Sequence, residues 1–304
     1  MADTVGVSGR LDGKVAIVTG GGGTNSIGRA ISLRYGTEGV RVAVLDINAE
    51  GAARVAGEIT AAGGTAMPVT CDITDLAKCE AAAKKVAETW GGHIDILVNN
   101  AAFFGGMGAW RPFDEWTIED WDRMQAVNVR GMWFMARAVV PYMKAQSYGK
   151  IINLSSSTFF EGVPGFIHYT TSKGGVIGFT RSLGRELGKF GIRVNAIAPG
   201  FTVSDAQLEL TKDSQEWYAR NRDTQALNQR NEVPEDLTGP AFFLASPDSD
   251  FMTCQALLVD GGVTPHGELV SKQNRGRRVC TGRYPSHPAA YLHFESGSKP
   301  APLR

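Results

Sequence analysis

Seven short runs of apolar and β-branched residues punctuate this chain: KVAIVTG (14–20), RVAVLD (41–46), AMPVTCD (66–72), IDILVNNA (94–101), KIINLSS (150–156), IRVNAIAPG (192–200) and ALLVDGG (256–262). They are nearly continuous rather than alternating, which is how strands read when a parallel sheet is covered on both faces. Helical stretches lie between them, and two, AARVAGEITAAGG and LAKCEAAAKKVAETWGG, stop in glycine. Strand and helix in turn predict an α/β fold with a doubly wound, seven-stranded parallel sheet, built as a single domain over residues 1–265. The connection over 201–238 is long and polar, and DSQEWYARNRDTQ within it predicts short helices that form a lid at about 203–232. Beyond residue 265 the periodicity stops, and the Pro-, Gly-, Ser- and Arg-rich residues 266–304 are expected to be a flexible extension.

Charge narrows the class of partner. Lys plus Arg equals Asp plus Glu at 31 each, so no basic excess points to nucleic acid. The distribution is uneven: Lys272, Arg275, Arg277, Arg278, Arg283, Lys299 and Arg304 against Glu268 and Glu295 make residues 266–304 net +5, which leaves −5 on residues 1–265. Cys71, Cys79, Cys254 and Cys280 have neither metal-ligand spacing nor the density of a disulfide framework. No run approaches the roughly 20 apolar residues of a membrane span, and the N-terminus lacks a signal-peptide core. The chain reads as cytoplasmic, with no metal.

The first strand runs into TGGGGTNSIGRAIS. A Gly-rich turn between a first strand and a first helix is where a dinucleotide pyrophosphate binds, because glycine lets main chain approach the phosphates and the helix N-terminus offers free N–H groups. The second strand ends in Asp46, where an acid accepts hydrogen bonds from the adenosine ribose hydroxyls and repels a 2′-phosphate; this favours NAD over NADP. Asp72 and Ile73 close the third strand at the expected edge of the adenine.

In TFFEGVPGFIHYTTSK (158–173) Tyr169 and Lys173 stand four residues apart, one face of a helix. Alone, that spacing also describes an ordinary surface pair. Taken with TGGGGTNSIG, NNAA (99–102), VNVRG around Asn128, NLSSS (153–157), RVNAIAPG (193–200) and VDGG (259–262), in this order, the chain resembles the short-chain dehydrogenase/reductase family over roughly residues 10–265. The resemblance implies a Rossmann fold and a catalytic set of Asn128, Ser156, Tyr169 and Lys173. Tyr169 would be the general acid/base, Lys173 would lower its pKa from about 10 and hold the nicotinamide ribose, Ser156 would bond the reacting oxygen, and Asn128 would anchor a water-linked relay to Lys173. Cofactor contacts are implied at Gly20, Asn25, Ser26, Ile27, Gly28, Asp46, Ile47, Asp72, Ile73, Asn100, Ala101, Pro199, Gly200, Thr202 and Ser204, besides Tyr169 and Lys173. The phosphate loop is two residues longer than the family pattern, with Ser26 in place of the glycine before Ile27, so the pyrophosphate contact stays open among Gly20–Gly23.

Apolar rings flank these positions. Phe103, Phe104, Phe160 and Phe201 are expected to line a pocket for a hydrophobic alcohol or ketone, and Arg111 is the one arginine placed to clamp a carboxylate. Within the family, the stretch around Tyr169 resembles the (S)-1-phenylethanol dehydrogenase and pyridoxal 4-dehydrogenase sub-groups, which act on ring-bearing carbinols. The expected activity is NAD-dependent oxidation of a cyclic or aryl-bearing alcohol. A 3-oxoacyl-carrier-protein reductase is the competing enzyme, disfavoured by Asp46 and the acidic body. A catalytically idle binding protein of the same fold is disfavoured by the intact Asn128, Ser156, Tyr169 and Lys173. The family habit of pairing long helices, and the apolar stretches over 124–143 and 173–187, imply a homotetramer.

Overall fold

A computed structural model describes residues 9–104, 108, 110–211 and 214–264. The residues 266–304 expected to form a basic extension lie outside those described. Seven strands, β1 (Val15–Thr19), β2 (Arg41–Asp46), β3 (Thr65–Thr70), β4 (Ile96–Asn99), β5 (Gly149–Leu154), β6 (Ile192–Pro199) and β7 (Ala256–Val259), form one sheet in the order β3-β2-β1-β4-β5-β6-β7. Every pairing is parallel. This is the doubly wound Rossmann sheet that the apolar runs predict. The strands are shorter than those runs, because the last residues of several runs, Gly20, Asn100 and Ala101 among them, leave the sheet to build loops.

Side-chain alternation explains the continuous runs. Val15 and Ile17 enter one buried cluster, with Cys79, Val86, Met135 and Leu187 from the helices on that side. Ala16 and Val18 enter the other, with Ile31, Val55 and Leu244. Both faces are covered, so both phases of the strand must be apolar. The helices are α1 (Ile27–Thr37), α2 (Ala49–Ala61), α3 (Leu76–Thr89), α4 (Ile118–Gln125), α5 (Met132–Ala145), α6 (Ser157–Glu161), α7 (Ile167–Leu187), α8 (Asp205–Thr211), α9 (Gln215–Thr224) and α10 (Thr238–Ala245). Side-chain caps start several of them: Ser26 for α1, Asn48 for α2, Asp75 for α3 and Thr117 for α4. Helices α8 and α9 occupy the long polar connection after β6.

Strand order reverses at β1, which pairs with β2 on one side and β4 on the other. The carboxyl ends of β1 and β4 therefore diverge into loops on opposite sides, and the crevice between them is where this class of sheet takes ligands.

Candidate active site

The crevice is fixed by one asparagine and one threonine. Asn100, just past β4, donates through Nδ2 to the carbonyls of Thr19 (2.9 Å) and Gly20 (3.0 Å). The main-chain N–H groups of Asn100 and Ala101 both donate to Thr19 Oγ1 at 3.0 Å. Gly20 adopts φ +66°, and Ala101 stands directly against it. A Cβ on Gly28 would lie 2.3 Å from the Gly20 carbonyl oxygen. Only glycine at position 28 lets α1 start this close to the strand it leaves.

These features fit a dinucleotide. Ser26 caps α1, taking the N–H of Arg29 at 3.3 Å, and the first-turn N–H groups of Ile27 and Gly28 have no acceptor within the helix. Asp46 ends β2 with one oxygen on the Gly22 N–H (2.8 Å) and the other on the Asn48 N–H (2.9 Å). Its carboxylate is thus held in place and each oxygen keeps lone-pair capacity for a sugar hydroxyl.

Three expected cofactor positions are engaged otherwise. The N–H groups of Asn25 and Thr24 donate to Asp205 Oδ2 at 2.7 and 2.8 Å, and Asn25 Nδ2 donates to the Val203 carbonyl at 3.0 Å. The lengthened loop reaches over to the chain leaving β6, and Asn25 takes part in that junction. Asp72 accepts from both the N–H and the hydroxyl of Thr74, which hold its carboxyl below the usual range. Ile73 turns into the core, against Gly131. Ile47 is 70% exposed beside Asp46.

The Tyr–Lys pair sits on a buried stripe of α7: His168, Tyr169, Ser172, Lys173, Val176, Ile177, Thr180 and Gly184 recur at helical spacing. Reciprocal bonds dock this stripe on β5. Lys173 Nζ donates to the Leu154 carbonyl at 2.9 Å, and Ser155 Oγ donates to the Lys173 carbonyl at 2.9 Å. Deeper down, Asn99, Asn153 and Thr180 form a side-chain chain across β4, β5 and α7. Ser156 caps the short α6, and its side chain stands near enough to Tyr169 to lower the phenol's pKa. Asn128 lies not in a regular helix but in a π-helical turn, Ala126–Gly131, between α4 and α5. The wide turn lets its Oδ1 accept the Phe103 N–H (2.7 Å) while Nδ2 donates to Ser172 Oγ (3.1 Å). Ser172 in turn donates to the Tyr169 carbonyl. Asn128 is thereby joined to the Tyr169 turn rather than directly to the Lys173 ammonium.

The electrostatics differ from the expectation of a phenol acidified by its lysine. Tyr169 is buried, and desolvation pushes its pKa up to about 12, with Ser156 pulling the other way. Lys173 is buried too, and desolvation brings it down to about 8. Its nitrogen lies 5.5 Å from the Tyr169 ring centre and donates to one carbonyl, with two further N–H donors on the ammonium. Burial outweighs the Ser156 hydroxyl in setting the phenol.

Phe104 packs on Tyr169 with ring centres 5.0 Å apart, and Met124, Phe103, Phe166 and Leu210 complete the same cluster. Phe201 meets Tyr218 of α9 edge-on at 5.7 Å. Phe160 is not in this cluster: it pairs with Phe159, which lies over Gly174 on α7. Arg111 is no free clamp either; it stacks on Trp116 and reaches Asp120 at 3.5 Å. His168 is buried against the Trp116 ring at 3.9 Å, with Nδ1 unpartnered, and burial lowers its pKa.

The family model described as enoyl-(acyl-carrier-protein) reductase matches residues 21–264. The sorbitol dehydrogenase of Cereibacter sphaeroides is 40% identical over 261 residues, covering 83% of this chain and 98% of its own. The 3-oxoacyl-[acyl-carrier-protein] reductase FabG of Thermotoga maritima is 35% identical over 258 residues, covering 84% and 99%. The crystal structure of the 3-ketoacyl-(acyl-carrier-protein) reductase of Brucella melitensis, complexed with NADH, superposes with a TM-score of 0.75 at 32% identity, covering 84% of this chain and 100% of that one. The chain belongs to the short-chain dehydrogenase/reductase family and is an oxidoreductase of that family.

Proposed function

We propose that the protein is an NAD-dependent alcohol dehydrogenase that interconverts a hydrophobic, ring-bearing alcohol and its carbonyl compound. The observation that carries this reading is the setting of Tyr169. Its phenol meets Ser156 and sits in an apolar wall of Phe103, Phe104, Phe166, Met124 and Leu210. Ser156 and Tyr169 then bracket the substrate oxygen, and Tyr169 accepts its proton in oxidation and returns it in reduction. Bound nicotinamide supplies the hydride acceptor. Lys173 lies one helical turn along the same face, where it meets the ribose, and Asn128 and Ser172 hold the turn that carries Tyr169. Gly20, Ser26, Ile27, Gly28 and Ser204 fit the pyrophosphate, Asp46 and Ile47 the adenosine ribose, and Pro199, Gly200 and Thr202 the nicotinamide end. Asp46 favours NAD over NADP through its fixed negative charge.

A polyol substrate is the second reading, favoured by the sorbitol dehydrogenase relative. The two part on one measurement: nucleotide reduction with NAD and with NADP across aryl carbinols, cyclic alcohols and linear polyols. Turnover confined to polyols overturns the hydrophobic substrate, and a preference for NADP overturns the role given to Asp46.

We propose a homotetramer as the working form. An open groove of about 990 Å³, away from Tyr169, is lined by Arg123, Val129, Trp133, Phe179, Leu183 and their neighbours on α4, α5 and α7. Trp133 is 46% exposed there, a large apolar surface for a lone subunit. No described helix is long and apolar enough to cross a membrane, and the proposed setting is the cytoplasm.

A further inference from the structure

Glu232 stands two residues before the 3-10 turn Pro234–Leu237, in the polar chain that returns from α9 to α10. It is 7% exposed. Three hydrogen bonds tie it to the chain leaving β6. Thr202 Oγ1 donates to Oε1 at 2.5 Å, the Val203 N–H donates to the Glu232 carbonyl at 2.8 Å, and the Gly200 N–H, bonded to the Val259 carbonyl at 2.8 Å, is shared with Oε2 at 3.3 Å. A Cβ on Gly200 would lie 3.2 Å from Oε2 and 2.7 Å from Asp260 Cα, so the turn and these two acids fill each other's space.

Two acids and one cation face Glu232. Asp236 comes from the 3-10 turn and Asp260 from the end of β7. Arg230, the cation at the rim, is paired through both nitrogens with Asp236 at 2.6 Å. Asp260 is occupied by the N–H groups of Gly262 and Thr264. Burial pushes the Glu232 carboxyl up to about 7, while the Thr202 and Gly200 bonds draw it down.

We propose that Glu232 is a positioning residue: its carboxyl group holds the Gly200–Val203 turn in the shape that receives the nicotinamide end of the dinucleotide, and its protonation changes that hold. This rests on the dehydrogenase reading above. Ionised, Glu232 accepts from Thr202 and Gly200 at once. Protonated, one oxygen must donate; the Thr202 bond reverses and the Gly200 bond loses its charge assistance.

The test is equilibrium binding of NADH and, separately, NADPH, followed by nucleotide fluorescence across neutral pH, with the melting temperature of each protein alone. Wild-type affinity should rise about fivefold between about pH 6 and 8, the net worth of one hydrogen bond. Glu232→Gln, with a single accepting oxygen, should lack the Glu232 step and keep only the pH dependence common to all three proteins. Thr202→Val keeps the carboxyl group and removes a donor that lowers its pKa, so the midpoint should move to higher pH. Lys173 titrates nearby, at about 8, but it is common to all three proteins, and the difference between profiles reads Glu232. A Glu232→Gln profile parallel to wild type overturns the proposal, whatever the melting temperature does. Wild-type protein that binds neither nucleotide overturns the dehydrogenase reading, and this proposal with it.

Discussion

A phenol in an apolar wall surrenders its proton reluctantly, and the pH dependence of the reaction follows. With Tyr169 pushed up to about 12, alcohol oxidation should accelerate with pH, by up to about tenfold per unit below that value, because the fraction of phenolate sets the rate. Tyr169→Phe should reduce turnover about 10²- to 10⁴-fold, the usual worth of a placed acid/base group. It should leave NADH binding and the melting temperature nearly unchanged, since Ser172 and Asn128 hold the turn through main chain. Lys173 gives a second, independent signature. Its pKa falls from 10.5 unfolded to about 8 in the native protein, so over that window the unfolded chain binds more protons and stability rises with pH. Lys173→Met should flatten the melting temperature between about pH 8 and 10. A melting curve that retains the wild-type slope would remove Lys173 as its source.

Among the elements, the loop between β1 and α1 tolerates least. Gly28→Ala places a methyl group on the Gly20 carbonyl and the Asn100 amide, and an overpacked junction of this kind costs about 1–3 kcal/mol. Urea melts should show that loss, and nucleotide binding should fall further than the stability does. The sheet was the most legible part of the chain, because continuous apolar runs follow directly from two covered faces. The buried stripe of α7 was legible too, through the spacing of Tyr169 and Lys173. What escaped depends on contacts between segments remote in sequence. The π-helical turn at Asn128 is set by packing against Ile73 and the Phe103 main chain, which no local pattern announces. Phe160 was expected in the pocket, but the short α6 pairs it with Phe159, which lies over Gly174. Asp205 and Glu232 carry no local signature in their polar stretch; their roles come from the chain leaving β6, which closes on both.

For the whole molecule, assembly and acid distribution can be tested apart from chemistry. Trp133→Glu sets a carboxylate in the groove on α4, α5 and α7, and sedimentation should show a smaller particle than wild type at the same concentration. A monomeric wild type would refute the proposed assembly and leave the catalytic reading untouched. The bond from Asp205 back to the phosphate loop bears on how the chain reaches this state. Thr24 and Asp205 are 181 residues apart, and contacts of such separation form late, after the intervening chain has closed its loop. The Gly-rich segment is encoded near the start of the sequence, yet it takes its final shape only when the exit of β6 has docked. During refolding, the capacity to bind a dinucleotide should therefore return with the slowest phase, long after the first strands have paired.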